Sequence, residues 1–229
     1  MSYRVAIIDA DILVYRFGFA SNNDSEDVAI RTIAHFLEDL VMIDLPHCQR
    51  WSLHLTGKGN FRDDIAVTAP YKGTRKSEKP VHYNLIRDYL VYAWDAVVWN
   101  GIEADDAIAI EATELDGDGV IVSLDKDLDQ VVGWHYNFVK NNLYYIDQET
   151  ADFNFYKQFL VGDAVDNIKG VYGIGPKKAD KLLEGKTAEE MWEVVVEHLG
   201  WERAIENGHL LYMLRSTQDK FTPPVKEAV

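Results

Sequence analysis

Two short apolar runs that each end on an aspartate constrain the fold of this chain most strongly. Residues 4–9 have the sequence RVAIID, and residues 120–125 have the sequence VIVSLD. Short runs of this kind, rich in valine and isoleucine, are typical of strands that are buried on both faces of a parallel sheet. Aspartate has a low strand propensity and is costly beside a buried sheet. Asp9 and Asp125 are therefore predicted to form part of a polar site at the strand ends.

Helical patterns separate these runs from further strand-like segments. Alternating apolar residues at 51–55 predict one more strand, and the apolar run at 96–99 predicts another. Amphipathic stripes predict helices at residues 28–41, 81–94 and 104–115, the first of them with Ser25 as its N-cap. Strands that alternate with helices indicate an α/β fold, with a mostly parallel twisted sheet flanked by helices.

The pattern changes after Val132. Strand-like runs at residues 134–139 and 143–146 flank two asparagines, which predicts a hairpin. The remaining chain is predicted to be helical, and Thr187 and Glu190 fit a capping box at the start of one helix. We therefore predict an α/β core over residues 1–147 and a helical C-terminal region over residues 148–229.

Composition favours a soluble protein of a reducing cytoplasm. The 229 residues are 47% hydrophobic, which is enough to bury a sizeable core. The single cysteine, Cys48, excludes an internal disulfide and a cysteine-based zinc site. The chain has no run of about 18 apolar residues, so no membrane helix is predicted. The N-terminal run contains Asp9, Asp11 and Arg16 and lacks a small-residue cleavage site, so it does not predict a signal peptide.

The distribution of charge matters more than the total. A net charge of −15 argues at first against a nucleic-acid partner, because phosphate binding needs lysine and arginine. The basic residues, however, cluster in two places. The first cluster contains Lys58, Arg62, Lys72, Arg75, Lys76 and Lys79, and the second contains Lys169, Lys177, Lys178 and Lys181.

Further carboxylates are predicted to lie near Asp9 and Asp125, because ligands of open α/β sheets bind beyond the carboxyl ends of the strands. Carboxylates this close repel one another unless a cation lies between them. An oxygen-only donor set favours Mg²⁺ or Mn²⁺, and two such ions promote phosphodiester hydrolysis. The other candidates are Glu103, Asp105 and Asp106 at a helix start, Asp127, and the pair Asp163 and Asp166, which has helical i,i+3 spacing.

Each feature taken alone also has a purely structural interpretation. Acidic residues at 103–106 fit ordinary stabilisation of a helix start, and Asp163 and Asp166 fit an ordinary turn. The basic segment at 71–76 fits either a solvated loop or a phosphate contact. Residues 170–179 (GVYGIGPKKA) fit either a loop-to-helix junction or an anion site at a helix start. Only the joint occurrence of the acidic and basic features indicates a nuclease.

Four stretches, taken together, resemble the 5′-nuclease (flap endonuclease) family, which includes phage enzymes and the 5′-nuclease domain of bacterial DNA polymerase I. They are IIDADILVYR, the segment from FR to YKGTR, GIEADD followed by SLDKD, and GDAVDNIKGVYGIGPKKA. The resemblance extends from about Val5 to about Leu183. The order YKGTRKSEKPVHY is most similar to the 5′-to-3′ exonucleases of small podoviruses.

The resemblance implies a PIN-like core, a C-terminal helix–three-turn–helix element that binds DNA, and a role for each matching residue. The implied metal ligands are Asp9, Glu103, Asp105, Asp106, Asp125, Asp127, Asp163 and Asp166. The implied catalytic set is Lys72, Arg75, Asp9, Asp106 and Asp125. The implied DNA contacts are Arg16, Tyr71, Lys72, Arg75, Lys76, Gly173, Gly175, Lys177 and Lys178.

The implied function is a monomeric 5′-to-3′ exonuclease or flap endonuclease that uses two Mg²⁺ or Mn²⁺ ions, with a K⁺ ion at the helix–three-turn–helix element. Its implied substrate is DNA with a duplex region and a 5′ end or flap, or an RNA/DNA hybrid, during phage replication or recombination in the cytoplasm of an infected bacterium. Two alternatives stay open, a PIN-type single-strand ribonuclease and a DNA-binding relative that has lost catalysis.

Two departures from the family pattern are visible. Gly57 stands roughly where most relatives have an aspartate, so one carboxylate is absent. The segment from Lys72 to Glu103 is shorter than in relatives with a full helical arch over the active site. We therefore expect a reduced or open arch.

Overall fold

A mostly parallel six-stranded sheet organises the part of the chain that the computed structural model describes, residues 3–74 and 78–224. The strand order is β3-β2-β1-β4-β5-β6, with β1 to β5 parallel and β6 antiparallel to β5. The predicted α/β fold is confirmed. The strands are β1 (Val5–Asp9), β2 (Arg50–Asn60), β3 (Val97–Gly101), β4 (Gly119–Val122), β5 (Gly133–Asn137) and β6 (Asn142–Ile146).

Helices flank this sheet and form most of the C-terminal region. A π-helical turn (Leu40–Asp44) extends the second helix, and a 3-10 turn (Lys126–Gln130) follows β4. A short hairpin of β7 (Gly162–Asp163) and β8 (Ile168–Lys169) interrupts the C-terminal helices. The helices are α1 (Ala10–Ala20), α2 (Glu26–Asp39), α3 (Phe61–Ile65), α4 (Tyr83–Trp94), α5 (Ala104–Glu114), α6 (Gln148–Val161), α7 (Pro176–Leu183), α8 (Ala188–Leu199) and α9 (Trp201–Leu211).

Apolar residues alternate between the two faces of the sheet. On β1, Ala6 and Ile8 pack into a core with α1, α2 and α4, whereas Val5 and Ile7 pack against α5 on the opposite face. A third apolar cluster, centred on Phe159, joins α6 to α9. The division at residue 147 stays a prediction. No helix in the described ranges is long and apolar enough to span a membrane.

Several local predictions are confirmed. The hairpin of β5 and β6 lies where the asparagine pair predicted it. The capping box of α8 is present, since the Thr187 side chain accepts from the backbone N–H of Glu190 at 3.3 Å and Glu190 Oε2 accepts from that of Thr187 at 2.8 Å. Ser25 is the N-cap residue of α2, although its side chain makes no capping hydrogen bond.

Two local predictions are wrong. β4 ends at Val122, so Asp125 lies three residues beyond the strand and caps the 3-10 turn, where its side chain accepts from the backbone N–H of Asp127 at 2.9 Å. Asp163 and Asp166 do not lie on a helix, since Asp163 ends β7 and Asp166 lies in the turn that leads to β8, which confirms the turn interpretation instead of the helical spacing. Aspartate competes for backbone N–H groups in this way, and a turn therefore replaces the helical spacing.

Candidate active site

A carboxylate-lined cleft of about 430 Å³ opens at the edge of the sheet where β1, β3 and β4 end. A second cleft of about 710 Å³ shares part of this lining and continues past Asp9 and Asp11 to Arg16. Lys72 borders both clefts. The structure thus brings most of the predicted acidic residues together. The acidic residues of the first cleft are Glu103, Asp105, Asp125, Asp127, Asp163 and Asp166.

Asp9, Asp105 and Asp125 form the inner part of this site. Ser123 Oγ donates to Asp9 Oδ2 at 2.7 Å, and the backbone N–H of Ile12 donates to Asp9 Oδ1 at 3.1 Å. Burial nevertheless raises the pKa of Asp9 to about 7, with a smaller contribution from neighbouring carboxylates. Burial, and then the charges of Asp9 and Asp125, raise the pKa of Asp105 well above its usual range. The raised pKa values of Asp9 and Asp105 favour binding of a proton or of a cation at these two carboxylates.

The outer part of the site is built on the 3-10 turn and the β7–β8 hairpin. Burial, and then the charges of Asp125 and Asp163, raise the pKa of Asp127 to about 7. Gln158 Nε2 on α6 donates to Asp127 Oδ1 at 2.5 Å. Asp163 Oδ1 accepts from the backbone N–H groups of Val165 at 2.7 Å and of Asp166 at 3.0 Å. The loop itself therefore fixes the direction of Asp163.

Tyr71 and Lys72 link Glu103 to the outer part. The Tyr71 hydroxyl lies 2.7 Å from Glu103 Oε2 and 2.9 Å from Asp166 Oδ2. Lys72 Nζ donates to Glu103 and lies 3.7 Å from Asp166 Oδ1. The backbone N–H of Lys72 donates to the Asp166 carbonyl at 2.9 Å, and the φ of Lys72 is +52°. Burial would raise the pKa of Glu103, but the neighbouring Lys72 and Tyr71 lower it overall.

Asp106 was predicted to be a metal ligand and a catalytic residue, but its carboxylate is paired inside the protein. Its side chain is fully buried, and it accepts from Arg62 at 2.6 Å and 2.8 Å and from the backbone N–H of Leu214 at 3.2 Å. Asp106 Oδ2 also accepts from the backbone N–H of Glu103 at 3.3 Å. The buried Arg62 guanidinium thus neutralises Asp106, which lines neither of the two clefts, and we leave Asp106 out of the ligands proposed below.

Arg62 was assigned by sequence to a basic, phosphate-facing cluster, but it is 1% exposed. Its Nε donates to the Leu210 carbonyl at 2.9 Å, and its Nη2 donates to the Tyr212 carbonyl at 2.7 Å. Burial would lower the pKa of Arg62, but the hydrogen bonds with Asp106 raise it overall. The guanidinium therefore joins the start of α5 to the end of α9. Sequence spacing gives no signal for partners this distant.

The residues that were predicted to contact DNA lie in different environments, some exposed and some packed inside the protein. Arg16 is exposed at the second cleft. Tyr71 packs into the apolar cluster of the C-terminal helices and is 8% exposed, so its ring is not available to stack on a base as predicted. Arg75 and Lys76 lie outside the described residues.

Local packing explains why residue 57 is a glycine. A Cβ atom at this position would lie 2.4 Å from Asn100 Oδ1 and 2.5 Å from the Trp99 carbonyl oxygen, so no side chain fits between β2 and β3. Asp11, which the sequence prediction missed, lies in the same cleft. It accepts from the backbone N–H of Thr56 at 2.9 Å and pairs with Arg87 at 3.1 Å. The only sequence signal for Asp11 is its place two residues after Asp9.

The glycine- and lysine-rich segment after β8 forms a turn that leads into α7. Gly173 has a φ of +77°, Gly175 is the N-cap residue without a capping side chain, and Pro176 is the first helical residue. Lys177 and Lys178 are exposed in the first turn of α7. This arrangement fits the predicted helix start with free N–H groups.

Across the described parts of the chain, no three His, Cys, Asp or Glu side chains are close enough, as placed, to hold one metal ion. The carboxylates therefore share a cleft without forming a finished coordination shell.

A family model matches residues 4–158, which is more than half of the chain, and it describes the 5′-3′ exonuclease N-terminal, resolvase-like domain. The chain belongs to this family. The 5′-nuclease resemblance expected from the sequence is thereby confirmed.

Relatives of this family member include bacterial enzymes. A DNA polymerase I of Geobacillus stearothermophilus is 27% identical over 232 aligned positions, covering 90% of this chain and 26% of that protein. A 5′-3′ exonuclease of Buchnera aphidicola is 28% identical over 201 positions, covering 79% and 69%. A flap endonuclease Xni of Shewanella piezotolerans is 35% identical over 136 positions, covering 51% and 52%. The alignments span between 11% and 26% of the DNA polymerase I relatives.

Solved structures share the fold. The T5 D15 protein co-crystallised with metal ions has a TM-score of 0.66 at 18% identity, covering 93% of this chain and 89% of that chain. A bacteriophage T5 flap endonuclease variant in a complex with DNA and metal ions has a TM-score of 0.59 at 17% identity, covering 91% and 93%. The catalytic core of Rad2 with a DNA substrate has a TM-score of 0.56 at 14% identity, covering 96% and 80%.

We predict that Arg62→Met lowers the free energy of unfolding by about 3 to 5 kcal/mol, because it leaves Asp106 charged and unpaired in the core. The double variant Arg62→Met/Asp106→Leu should recover most of this loss. Urea unfolding followed by tryptophan fluorescence measures both. A single-variant loss below about 1 kcal/mol would contradict the structural role of the pair.

We predict that Asp9 contributes to the free energy of unfolding in EDTA a component that falls as pH rises from about 4 to 7. A carboxyl with a raised pKa keeps its proton in the folded protein after the unfolded chain has released its own, so rising pH favours unfolding. Asp9→Asn should flatten this slope by up to about 1.4 kcal/mol per pH unit. Asp39→Asn, on the exposed face of α2, is the control, and equal slopes for the two variants would contradict the raised pKa of Asp9.

Proposed function

We propose that this chain hydrolyses DNA phosphodiesters as a divalent-metal-dependent 5′-to-3′ exonuclease and flap endonuclease. The observation that carries the proposal is the gathering of Asp9, Asp105, Asp125 and Asp127 along two adjoining clefts, which share Asp105 and Asp125 and are both bordered by Lys72. Membership of the 5′-3′ exonuclease family supports it. Carboxylates beside a cationic side chain are the arrangement that metal-assisted phosphodiester hydrolysis needs.

The donor set fits Mg²⁺ or Mn²⁺. The described lining of the first cleft offers carboxylate oxygens and no histidine or cysteine, which favours hard cations. The pKa values of Asp9 and Asp127, both raised to about 7, reflect burial first and then repulsion from neighbouring carboxylates such as Asp125, which a cation would relieve. Magnesium keeps several waters, so it does not need a finished cage of protein ligands. We propose two ions held by Asp9, Glu103, Asp105, Asp125, Asp127, Asp163 and Asp166.

Two divalent ions in such a site activate a water and stabilise the leaving oxygen. The chain itself orients the groups around them. Ser123 holds the Asp9 carboxylate, and Tyr71 holds Glu103 and Asp166. Lys72 borders both clefts, so we assign its ammonium to the scissile phosphate. Arg75 as its partner stays a prediction, because it lies outside the described residues.

The second cleft suits the 5′ end of a strand. Arg16 offers a cation, and the rings of Tyr15, Phe19 and Tyr83 line the same cleft. Tyr15 lies 5.5 Å from Tyr83 and 6.2 Å from Phe19, measured between ring centroids. Aromatic rings next to a basic group bind single-stranded nucleic acid through stacking and charge. We propose that the terminal nucleotide lies here.

The segment between Lys72 and α4 supports an open arch. Residues 78–82 contain no helix, and α4 begins only at Tyr83. A short connection of this kind supports access to DNA ends without threading through a closed helical arch. We therefore propose that duplex ends and flaps are both substrates, and that RNA/DNA hybrids also serve.

The turn before α7 is proposed to grip duplex phosphates through the free N–H groups of the helix start and Lys177 and Lys178. A K⁺ ion at this element remains a prediction from the resemblance. We propose that the protein is a monomer and acts in phage replication or recombination in the cytoplasm of an infected bacterium. The order of residues at 71–83, which is similar to that in podovirus exonucleases, supports the phage role.

The two alternatives are less well supported. PIN-type ribonucleases lack the glycine–lysine element that this chain has before α7, so its presence favours the duplex-binding nuclease. A relative without catalysis was suggested by Gly57, but seven further carboxylates of the proposed ligand set remain along the two clefts. The site therefore supports an active nuclease best.

We predict that the protein shortens 5′-labelled and 3′-labelled duplexes from the 5′ end in the presence of Mg²⁺. Asp125→Asn and Lys72→Met should each lower kcat by about 100-fold or more, because each removes charge complementarity at the reacting phosphate. Arg31→Met removes an exposed arginine of α2 that lies in neither basic cluster, and it is the control.

Cleavage in EDTA, or full activity of Asp125→Asn, would contradict the proposed function. Rapid cleavage of single-stranded RNA without any need for a duplex would favour the ribonuclease. Tight DNA binding without turnover in Mn²⁺ would favour the DNA-binding alternative.

A further inference from the structure

Tyr172 has the most exposed side chain among the large hydrophobic residues of the described chain, with a relative exposure of 103%. It lies at the second position of a turn closed by the hydrogen bond from the Ile174 N–H to the Val171 carbonyl at 3.1 Å. Gly173 follows with a φ of +77°, the conformation that a type II turn requires at its third position. The turn therefore directs the phenol ring into solvent.

The protein holds this turn firmly. The Val171 N–H donates to the Leu160 carbonyl at 2.8 Å, and Ile174 is buried. On the preceding side, the Lys169 carbonyl accepts from Arg203 at 2.9 Å and from Asn207 at 3.1 Å. A rigidly presented aromatic ring loses little conformational freedom on binding, which is the property of a contact residue.

The surroundings of Tyr172 are basic in a chain whose net charge is −15. Lys169, Lys177 and Lys178 are exposed on the same short segment, and the start of α7 adds free N–H groups. The nearest apolar neighbours of Tyr172 in the sequence are Val171, which is half-buried, and Ile174, which is buried, so they add no broad exposed apolar patch beside the ring. A protein partner would need a broader apolar patch, whereas a sugar–phosphate backbone needs cations and a single flat ring.

The turn is also close to the carboxylate cleft along the chain. Tyr172 follows Asp166 by six residues, which limits the distance between their Cα atoms to about 20 Å. This length corresponds to about six base pairs of duplex. A duplex that extends about six base pairs from a scissile phosphate in the cleft is therefore long enough to reach the turn.

We propose that Tyr172 packs against the sugars of the duplex in the minor groove, within about six base pairs of the cleavage site, while α7 and its lysines hold the adjacent phosphates. This inference rests on the proposed function and adds to it a contact that is apolar and independent of base sequence. It contributes affinity for duplex DNA that salt does not screen, because no charge is neutralised.

The test measures equilibrium binding by fluorescence anisotropy in the Asp125→Asn background, so that the DNA stays intact. The probes are a duplex of about two helical turns and a single strand of the same length. Tyr172→Ala should raise the Kd for duplex by about tenfold, with an unchanged salt slope and an unchanged Kd for the single strand. Tyr172→Phe should bind like the parent, since the contact needs the ring and not the hydroxyl.

Two further variants serve as controls. Lys177→Ala should lower the slope of log Kd against log salt by about one, because it removes one phosphate contact. Tyr92→Ala removes another exposed tyrosine (85% exposed), at the end of α4 that leads to the start of β3 and so lies away from the cleft edge. It should change neither quantity. Because Tyr172 is fully exposed, its variants should melt within about 2 °C of the parent.

An unchanged duplex Kd for Tyr172→Ala, alongside the expected effect of Lys177→Ala, would overturn this inference and leave the proposed function standing. Equal weakening of duplex and single-strand binding would overturn the minor-groove contact in favour of base stacking. Absence of salt-dependent duplex binding in the parent itself would instead count against the proposed function.

Discussion

Repulsion between carboxylates at one edge of the sheet is the constraint on which the rest of this site depends. The parallel topology brings Asp9, Asp105 and Asp125 together, and burial makes their negative charges costly, as the raised pKa values of Asp9 and Asp105 reflect. Hydrogen-bond donors around the site offset part of this cost, since Ser123 donates to Asp9 and the Lys72 ammonium donates to Glu103. A cleft that gathers negative charge at such a cost is suited to divalent cations and, beside them, a phosphodiester.

The C-terminal helices support this cleft as well as extending it. Arg62 binds Asp106 and two carbonyl groups at the end of α9, so the start of α5 is fixed to the far end of the chain. Tyr71 packs among the C-terminal helices and reaches Glu103 with its hydroxyl. The position of Glu103 therefore depends on packing that lies outside the sheet. The same helical region presents the turn with Tyr172, so the support of the cleft and the proposed duplex contact belong to one structural unit.

The strand and helix pattern, and the gathering of carboxylates at the strand ends, followed from the sequence because periodicity and parallel topology are local or general properties. What did not follow were partnerships over long distances. Asp106 has the same sequence context as Asp105, yet Arg62 removes it from the cleft. Gly57 appeared to weaken the site, but the close approach of Asn100 explains it. Asp11 was missed because a lone aspartate in a first helical turn is ordinary.

Our proposal is that these carboxylates bind divalent ions together rather than protons. It is tested most directly by crystals of the protein grown at neutral pH with Mn²⁺ and a short duplex, using the anomalous signal of the metal. We expect anomalous peaks inside the cleft, within about 2.5 Å of oxygens of Asp105 and Asp125. A cleft without a peak at saturating Mn²⁺, with Asp9, Asp105 and Asp125 hydrogen-bonded to one another as protonated acids, would contradict it.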